Sequence, residues 1–155
     1  MTRTEITSHD LKETETVAKN IMEEIRNKYV QDSQSVDKAV VVGLVGDLGS
    51  GKTTFSQSVA KMLGVEENVT SPTFIIEKVY HTKDTAFPQF VHIDAYRLNQ
   101  GRELEVLGFK DLLAQKGTLI FLEWPERVMD ILPKDTLEIR FSFVDENTRT
   151  ISYDL

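Results

Sequence analysis

The stretch that most restricts how this chain can fold is Gly46-Asp47-Leu48-Gly49-Ser50-Gly51-Lys52-Thr53, which fits G-x-x-x-x-G-K-[ST] at every specified position. Glycines at these places let the backbone curl until successive N–H groups point inward, a concave surface suited to phosphate oxygens. Such a loop works only between a strand that fixes its entry and a helix whose positive end faces the anion. Both flanks are present. Ala39 to Val45 reads AVVVGLV, continuously apolar and largely β-branched, as expected of a strand buried on both faces. After the loop, Phe55, Val59, Met62 and Leu63 form the predicted buried side of a helix that ends at Gly64. A chance match in a glycine-rich turn is the alternative reading, and these flanks argue against it.

The rest of the chain extends that βα pattern. Asp10 is placed to cap a first helix, with Glu13 reaching back as in a capping box, and Val17, Ile21 and Ile25, widened by Ala18 and Met22, make its apolar stripe. Asn27 to Lys38 loses the periodicity and reads as a polar connector. Further strands are expected at Thr73–Tyr80, Gln89–Asp94 and Thr118–Glu123. A helix between the last two would bury Leu104, Leu107, Leu112 and Leu113. TLEIRFSFV, DEN and TRTISYDL read as a closing antiparallel hairpin. Strands alternating with helices predict an α/β, P-loop NTPase-like fold: a mixed central sheet flanked by helices, as one domain over residues 1–155.

Composition narrows the function. The chain has 155 residues, a net charge of −7 and no cysteine, which excludes disulfides, thiol catalysis and cysteine-ligated metal. An acidic protein is poorly suited to gripping a nucleic-acid backbone, so direct RNA or DNA binding is disfavoured unless a local basic patch supplies it. The first ten residues lack the apolar core of a signal peptide, and no apolar run is long enough to span a bilayer, so a cytoplasmic location without membrane attachment is expected.

Within the motif, Lys52 can reach the β- and γ-phosphates and the Thr53 hydroxyl can ligate Mg²⁺. Mg²⁺ prefers oxygen ligands, and two acids end apolar strands: Asp94 after FVHI and Glu123 after TLIFL. If both strands run parallel to the one entering the loop, both carboxylates arrive at its carboxyl edge. Either could hold the metal or its water while the other orients an attacking water; a solvated acid at a strand end is the plainer reading of each. Ser71 to Phe74, SPTF, is either a switch-like loop presenting hydroxyls or a turn before a strand, and local evidence favours the turn. Arg97 suits a phosphate, a carboxylate or a surface ion pair equally. Trp124 reads as a packed ring or a site contact. His92 reads as a satisfied strand histidine rather than a ligand or base, and the three histidines show no metal-ligand spacing.

Taken in order, the P-loop, SPTF, HIDAYRL and FLEWPE resemble the TsaE family, ATPases of the bacterial pathway that installs threonylcarbamoyl on adenosine 37 of tRNA. The glutamate ahead of Trp-Pro, combined with H-x-D-x-Y-R-L, makes the likeness specific, and it runs from the first helix to the final hairpin. The resemblance implies ATP and Mg²⁺ as cofactors, with Leu48, Gly49, Ser50, Gly51, Lys52, Thr53 and Thr54 at the nucleotide and Thr53, Asp94 and Glu123 at the metal. It also places Ser71 to Thr73 in a switch-like loop, and Lys52, Asp94 and Glu123 in catalysis. It further implies TsaD and TsaB as partners, which carry out the transfer while this chain hydrolyses ATP to keep them cycling. No arginine finger is evident, so slow turnover alone and faster turnover with partners is expected. Two other functions remain open on the residues: a small-molecule P-loop kinase, and a module that senses ATP without hydrolysing it. Arg97, Arg102 and Arg127 are dispersed and no arginine-rich lid segment follows, which disfavours the kinase.

Overall fold

A computed structural model of the chain describes residues 3–30, 36–69 and 76–155. Its framework is one seven-stranded sheet in the order β1-β7-β6-β2-β5-β4-β3. The strands are β1 (Thr4–Ser8), β2 (Val40–Val45), β3 (Glu77–His81), β4 (Gln89–Asp94), β5 (Thr118–Glu123), β6 (Leu137–Phe143) and β7 (Arg149–Tyr153). The four middle strands, β6, β2, β5 and β4, are mutually parallel. β3 closes one edge antiparallel to β4, and the β6–β7 hairpin with β1 closes the other. The sheet is therefore mixed, as the strand pattern predicts.

Parallel strands need crossovers, and the crossover helices cover both faces. β2 and β5 accordingly lack polar alternation, and β5 is buried at every position. On one face lie α1 (Leu11–Tyr29) and α2 (Lys52–Met62), packed over Val40, Val42, Leu44, Phe90, Leu119 and Phe121. The opposite face buries Val41, Val91, Ile93, Ile120 and Leu122 under the short helices α3 (Gly101–Val106) and α4 (Phe109–Leu113). Each such side chain withdrawn from water contributes on the order of 1.5–3 kcal/mol.

Local cues explain most element ends. The Asp10 carboxylate caps α1 by accepting from the Glu13 N–H at 2.8 Å. Glu13 reaches one residue further back than a capping box requires, accepting from the His9 N–H at 2.7 Å. The stripe Val17, Ala18, Ile21, Met22 and Ile25 is buried as expected. α2 ends in a Schellman motif: Val65 N–H donates to Ala60 O and Gly64 N–H to Lys61 O, with Gly64 at φ +81°.

Several expectations change. α1 continues through Asn27 to Tyr29, so the connector is shorter than the loss of periodicity suggests. Met62 lies at the edge of the buried stripe of α2 and is 41% exposed. The single helix expected between β4 and β5 is two, broken at Gly108, whose φ of +91° interrupts the helical turn. Leu107 there is exposed, while Leu104 and Leu112 are buried. β1, at Thr4–Ser8, has no counterpart among the strands expected from the sequence. Of the strand expected at Thr73–Tyr80, Glu77 to Tyr80 lie in β3, Ile76 precedes it, and residues 73–75 lie outside the described residues.

Candidate functional site

β2, β5 and β4 all end at the same sheet edge, and the loop Gly46 to Gly51 opens there. Gly49 and Gly51 have φ of +78° and +104°, left-handed values that a Cβ would oppose. The loop thus turns back on itself and delivers Lys52 as the first residue of α2. A cavity of about 360 Å³ fills the mouth, lined by Leu48, Gly49, Gly51, Lys52, Thr53 and Thr54 of the loop and helix, by the acids Asp94 and Glu123, and by Tyr96, Trp124 and Arg149. All three functional groups expected of the motif and strand ends, Lys52, Asp94 and Glu123, therefore meet in one cavity. Ser50 does not line it; its buried hydroxyl has no hydrogen-bond partner among the described residues.

Lys52 is buried, donates to the Gly46 carbonyl, and holds its ammonium 4.2 Å from the centre of the Trp124 ring. Burial pushes its pKa down, while Glu123, Asp94, Glu126 and Asp47 pull it up. Trp124 is the one described non-glycine residue with positive φ, +60°. A bulky residue held there costs on the order of 1–3 kcal/mol. The left-handed turn takes the chain off β5 into the Pro125–Arg127 turn and sets the indole over the lysine, with the Tyr96 ring tilted at 56° against it, centroids 5.1 Å apart. Trp124 is thus both a partly buried, packed ring and a lining residue of the cavity, so its two readings coincide.

Asp94 and Glu123 are in-register partners on adjacent parallel strands. Their side chains consequently leave the same face of the sheet, side by side. Glu123 is only 4% exposed, which sets it apart from a solvated strand-end acid. Its Oε2 lies 2.6 Å from Nε2 of His92, a fully buried side chain two residues before Asp94 on the same face. A carboxylate only accepts, so Nε2–H donates; Nδ1 of His92 has no partner among the described residues. His92 is therefore half satisfied, and its one bond goes to a site acid. Asp94 is half-buried and accepts from the Tyr96 N–H at 2.9 Å. Burial raises its pKa and Glu123 adds to the rise, against the Tyr96 bond, His92 and Lys52.

Other candidates fall elsewhere. Arg97 is exposed and does not line the cavity. Ser71 to Phe74 lie outside the described residues. Arg149 and Tyr96 reach the cavity unassigned by the sequence reading. Tyr96 sits inside the HIDAYRL stretch, which is the signal that marks it. Arg149 begins a strand that reads as ordinary hairpin, and no local pattern marks it.

A mixed sheet whose four parallel strands include a middle one that runs through a glycine loop into a buried lysine and helix, with acids tipping the next two strands, is the construction of the P-loop class of α/β proteins. Within that class the chain belongs to the TsaE family: residues 8–151 match the family model described as threonylcarbamoyl adenosine biosynthesis protein TsaE. It is similar to the tRNA threonylcarbamoyladenosine biosynthesis protein TsaE of Rickettsia prowazekii, 34% identical over 136 residues, which cover 86% of this chain and 90% of that one. The protein of the same name from Haemophilus influenzae is 34% identical over 110 residues, 71% of this chain and 67% of that one. The crystal structure of YdiB from Bacillus subtilis superposes with a TM-score of 0.70 at 25% identity, covering 98% of this chain and 84% of that one.

Proposed function

We propose that the chain binds ATP with Mg²⁺ at the P-loop and hydrolyses it slowly, in the service of threonylcarbamoyladenosine formation on tRNA. The single observation that carries this reading is the in-register pair Asp94 and Glu123 beside Lys52 at the mouth of the loop. Loop N–H groups and Lys52 supply positive charge where phosphates would lie, and the two acids supply negative charge next to it.

The donors suit Mg²⁺. They are hard oxygens, from the Thr53 hydroxyl and the Asp94 carboxylate with the Glu123 carboxylate beside it, and no group of three or more His, Cys, Asp or Glu that could hold a metal occurs among the described residues. Such a sparse donor set fits an ion that arrives with phosphates and keeps several waters. Mg²⁺, when bound, neutralises charge on the β- and γ-phosphates. Lys52 exchanges its Gly46 and Trp124 contacts for phosphate oxygens. Asp94, half-buried and beside a second acid, faces the metal or its water. Glu123, held by His92 through Oε2, keeps Oε1 for the attacking water; a P–O bond forms to that water, the bond to the ADP oxygen breaks, and the water proton passes toward the carboxylate.

The object of the work is another protein. TsaD and TsaB are the partners in this reading; their docking accelerates turnover, and the setting is the cytoplasm. The chain would need no acceptor site and no strong grip on tRNA, in keeping with its net charge of −7. The test is phosphate release from ATP by the purified chain, alone and with TsaB and TsaD, beside Lys52→Ala and Asp94→Ala. Slow release that the partners raise and both variants lose is expected. Rapid release alone, or indifference to the partners, would remove the partner-coupled reading.

A further inference from the structure

Away from the nucleotide cavity, the packing of α1 on α2 leaves a groove of about 370 Å³. No residue lines both. α1 supplies Lys12, Glu15, Thr16 and Lys19, which recur at i, i+3, i+4 and i+7 and so share one face of the helix, beside its buried stripe. α2 supplies Lys61 and Met62 from its last turn. Met62, the apolar residue that α2 leaves partly uncovered, is thus exposed in this groove.

Three lysines gathered in one groove stand out in a chain of net charge −7. Lys61 has a local reason, because a cation in the last turn of a helix complements its dipole. Lys12 has the opposite: it lies in the first turn of α1, where the dipole opposes positive charge. Lys19 has Glu15 and Glu23 one turn to either side, the spacing that forms ion pairs along a helix. Yet none of the three lysines is ion-paired with a described residue. Cations that share a groove with an apolar side chain complement an anionic segment that carries an apolar residue of its own.

A phosphate backbone could meet the same charges, but two features favour a peptide. Glu15 stands among the lysines, Glu23 follows Lys19 by one turn, and Glu67 shares a neighbouring pocket with Lys61, so the positive potential is confined to the groove. A nucleic-acid strand carries charge at every nucleotide and would run onto those acids. The cations are also all lysines, point charges without the planar fork of donors that matches phosphate. A short acidic stretch of protein can end where the groove ends, and its apolar residue has the adaptable Met62 to pack against.

We propose that the α1–α2 groove is a docking surface for an acidic segment of a partner protein, with Lys12, Lys19 and Lys61 meeting its carboxylates and Met62 an apolar side chain. The inference is independent of the P-loop reading: roughly 14 Å of helix separates Lys52 from Lys61.

The test titrates the isotopically labelled chain with a synthetic glutamate-rich peptide bearing periodic leucines, with its glutamine counterpart, and with oligouridylate. The glutamate peptide alone should bind, shifting backbone amides of residues 12–19 and 58–62, and added salt should weaken it. Lys12→Glu/Lys19→Glu/Lys61→Glu should reduce its affinity by roughly tenfold or more, and Met62→Ser by less. Lys110→Glu/Lys116→Glu/Lys134→Glu makes the same charge change at exposed lysines outside the groove and should alter affinity by no more than about twofold. Thermal melting checks that each variant is folded, and phosphate release from ATP by the unaccompanied chain should not change. An equal loss in both triple variants would mean attraction to net charge alone and overturn the proposal. Binding of oligouridylate in the groove without the peptide would make it a nucleic-acid surface, and self-association abolished by the groove variant would make the occupant a second copy; either result sinks the acidic-partner reading. Failure of the glutamate peptide to bind at all would end it too, leaving the nucleotide site untouched.

Discussion

The cationic and anionic halves of the cavity share one sheet edge but are built in opposite ways. The cationic half comes mostly from one continuous stretch, Gly46 to Lys52, where strand, loop and helix set each other's geometry. The anionic half joins residues 29 positions apart, Asp94 and Glu123, through the parallel register of β4 and β5, with His92 behind them. The first half leaves Lys52 bonded to a carbonyl and an aromatic ring, with carboxylates near but none bonded to it; the second crowds two carboxylates whose mutual repulsion raises the pKa of Asp94 beyond what burial alone does. Each half is frustrated in the sense that the other's ligand would relieve: a phosphate for one, a divalent cation for the other. The difference also separates roles, because losing Lys52 should cost binding and losing the Glu123 carboxylate should cost turnover.

The largest effect is expected from Lys52→Ala. Loss of a buried charge that contacts phosphate should weaken ATP on the order of 100-fold, read by calorimetry, with phosphate release falling to background. Glu123→Gln should do the reverse. It keeps the volume and removes the base, so turnover should fall by roughly 10²–10⁴ while ATP affinity stays close to wild type. If Glu123→Gln instead loses affinity in step with turnover, the division of labour between the halves is wrong.

The same contrast explains what could be read from the chain. The cationic half is contiguous, so a run of glycines, lysine and threonine between an apolar strand and an amphipathic helix specifies it almost completely. The acids were legible as candidates because each directly ends a β-branched or apolar strand, but their pairing depends on strand order, which no local pattern states. His92 looked inert because its partner is 31 residues away. Arg149 was illegible for the same reason: only the fold of the β6–β7 hairpin against the loop brings it to the cavity. β1 escaped notice because it is short and pairs with the last strand of the chain, 145 or more residues distant at its outer register pairs. Trp124 lay between two readings until its left-handed backbone turned the ring onto Lys52.

A smaller effect should follow from His92→Leu, which removes the donor to Glu123 while keeping the position apolar. The released carboxylate loses its fixed orientation, and turnover should fall about tenfold with ATP affinity little changed. His92→Gln, which can still donate, should recover part of the loss. Equal falls in affinity and turnover, without rescue by glutamine, would reduce His92 to a packing residue.

The smallest effect is on stability, and its sign opposes function. The carboxyl of Asp94 has its folded pKa raised, first by burial and then by Glu123. The folded state therefore binds the proton more tightly than the unfolded chain does, and stability falls as pH rises from the unfolded value through the folded one. Above that window the ionised pair is a standing cost. Asp94→Asn removes the charge, so at neutral pH the ligand-free variant should melt a few degrees higher than wild type, with the gap shrinking as the pH is lowered through the window. The same variant should lose Mg²⁺-dependent phosphate release. Adding Mg·ATP should then reverse the order of melting temperatures, because wild type gains stability by binding and the variant gains less. A variant that melts no higher than wild type without ligand would mean that the two acids are not in electrostatic conflict, and the anionic half would lose its claim to be waiting for a cation.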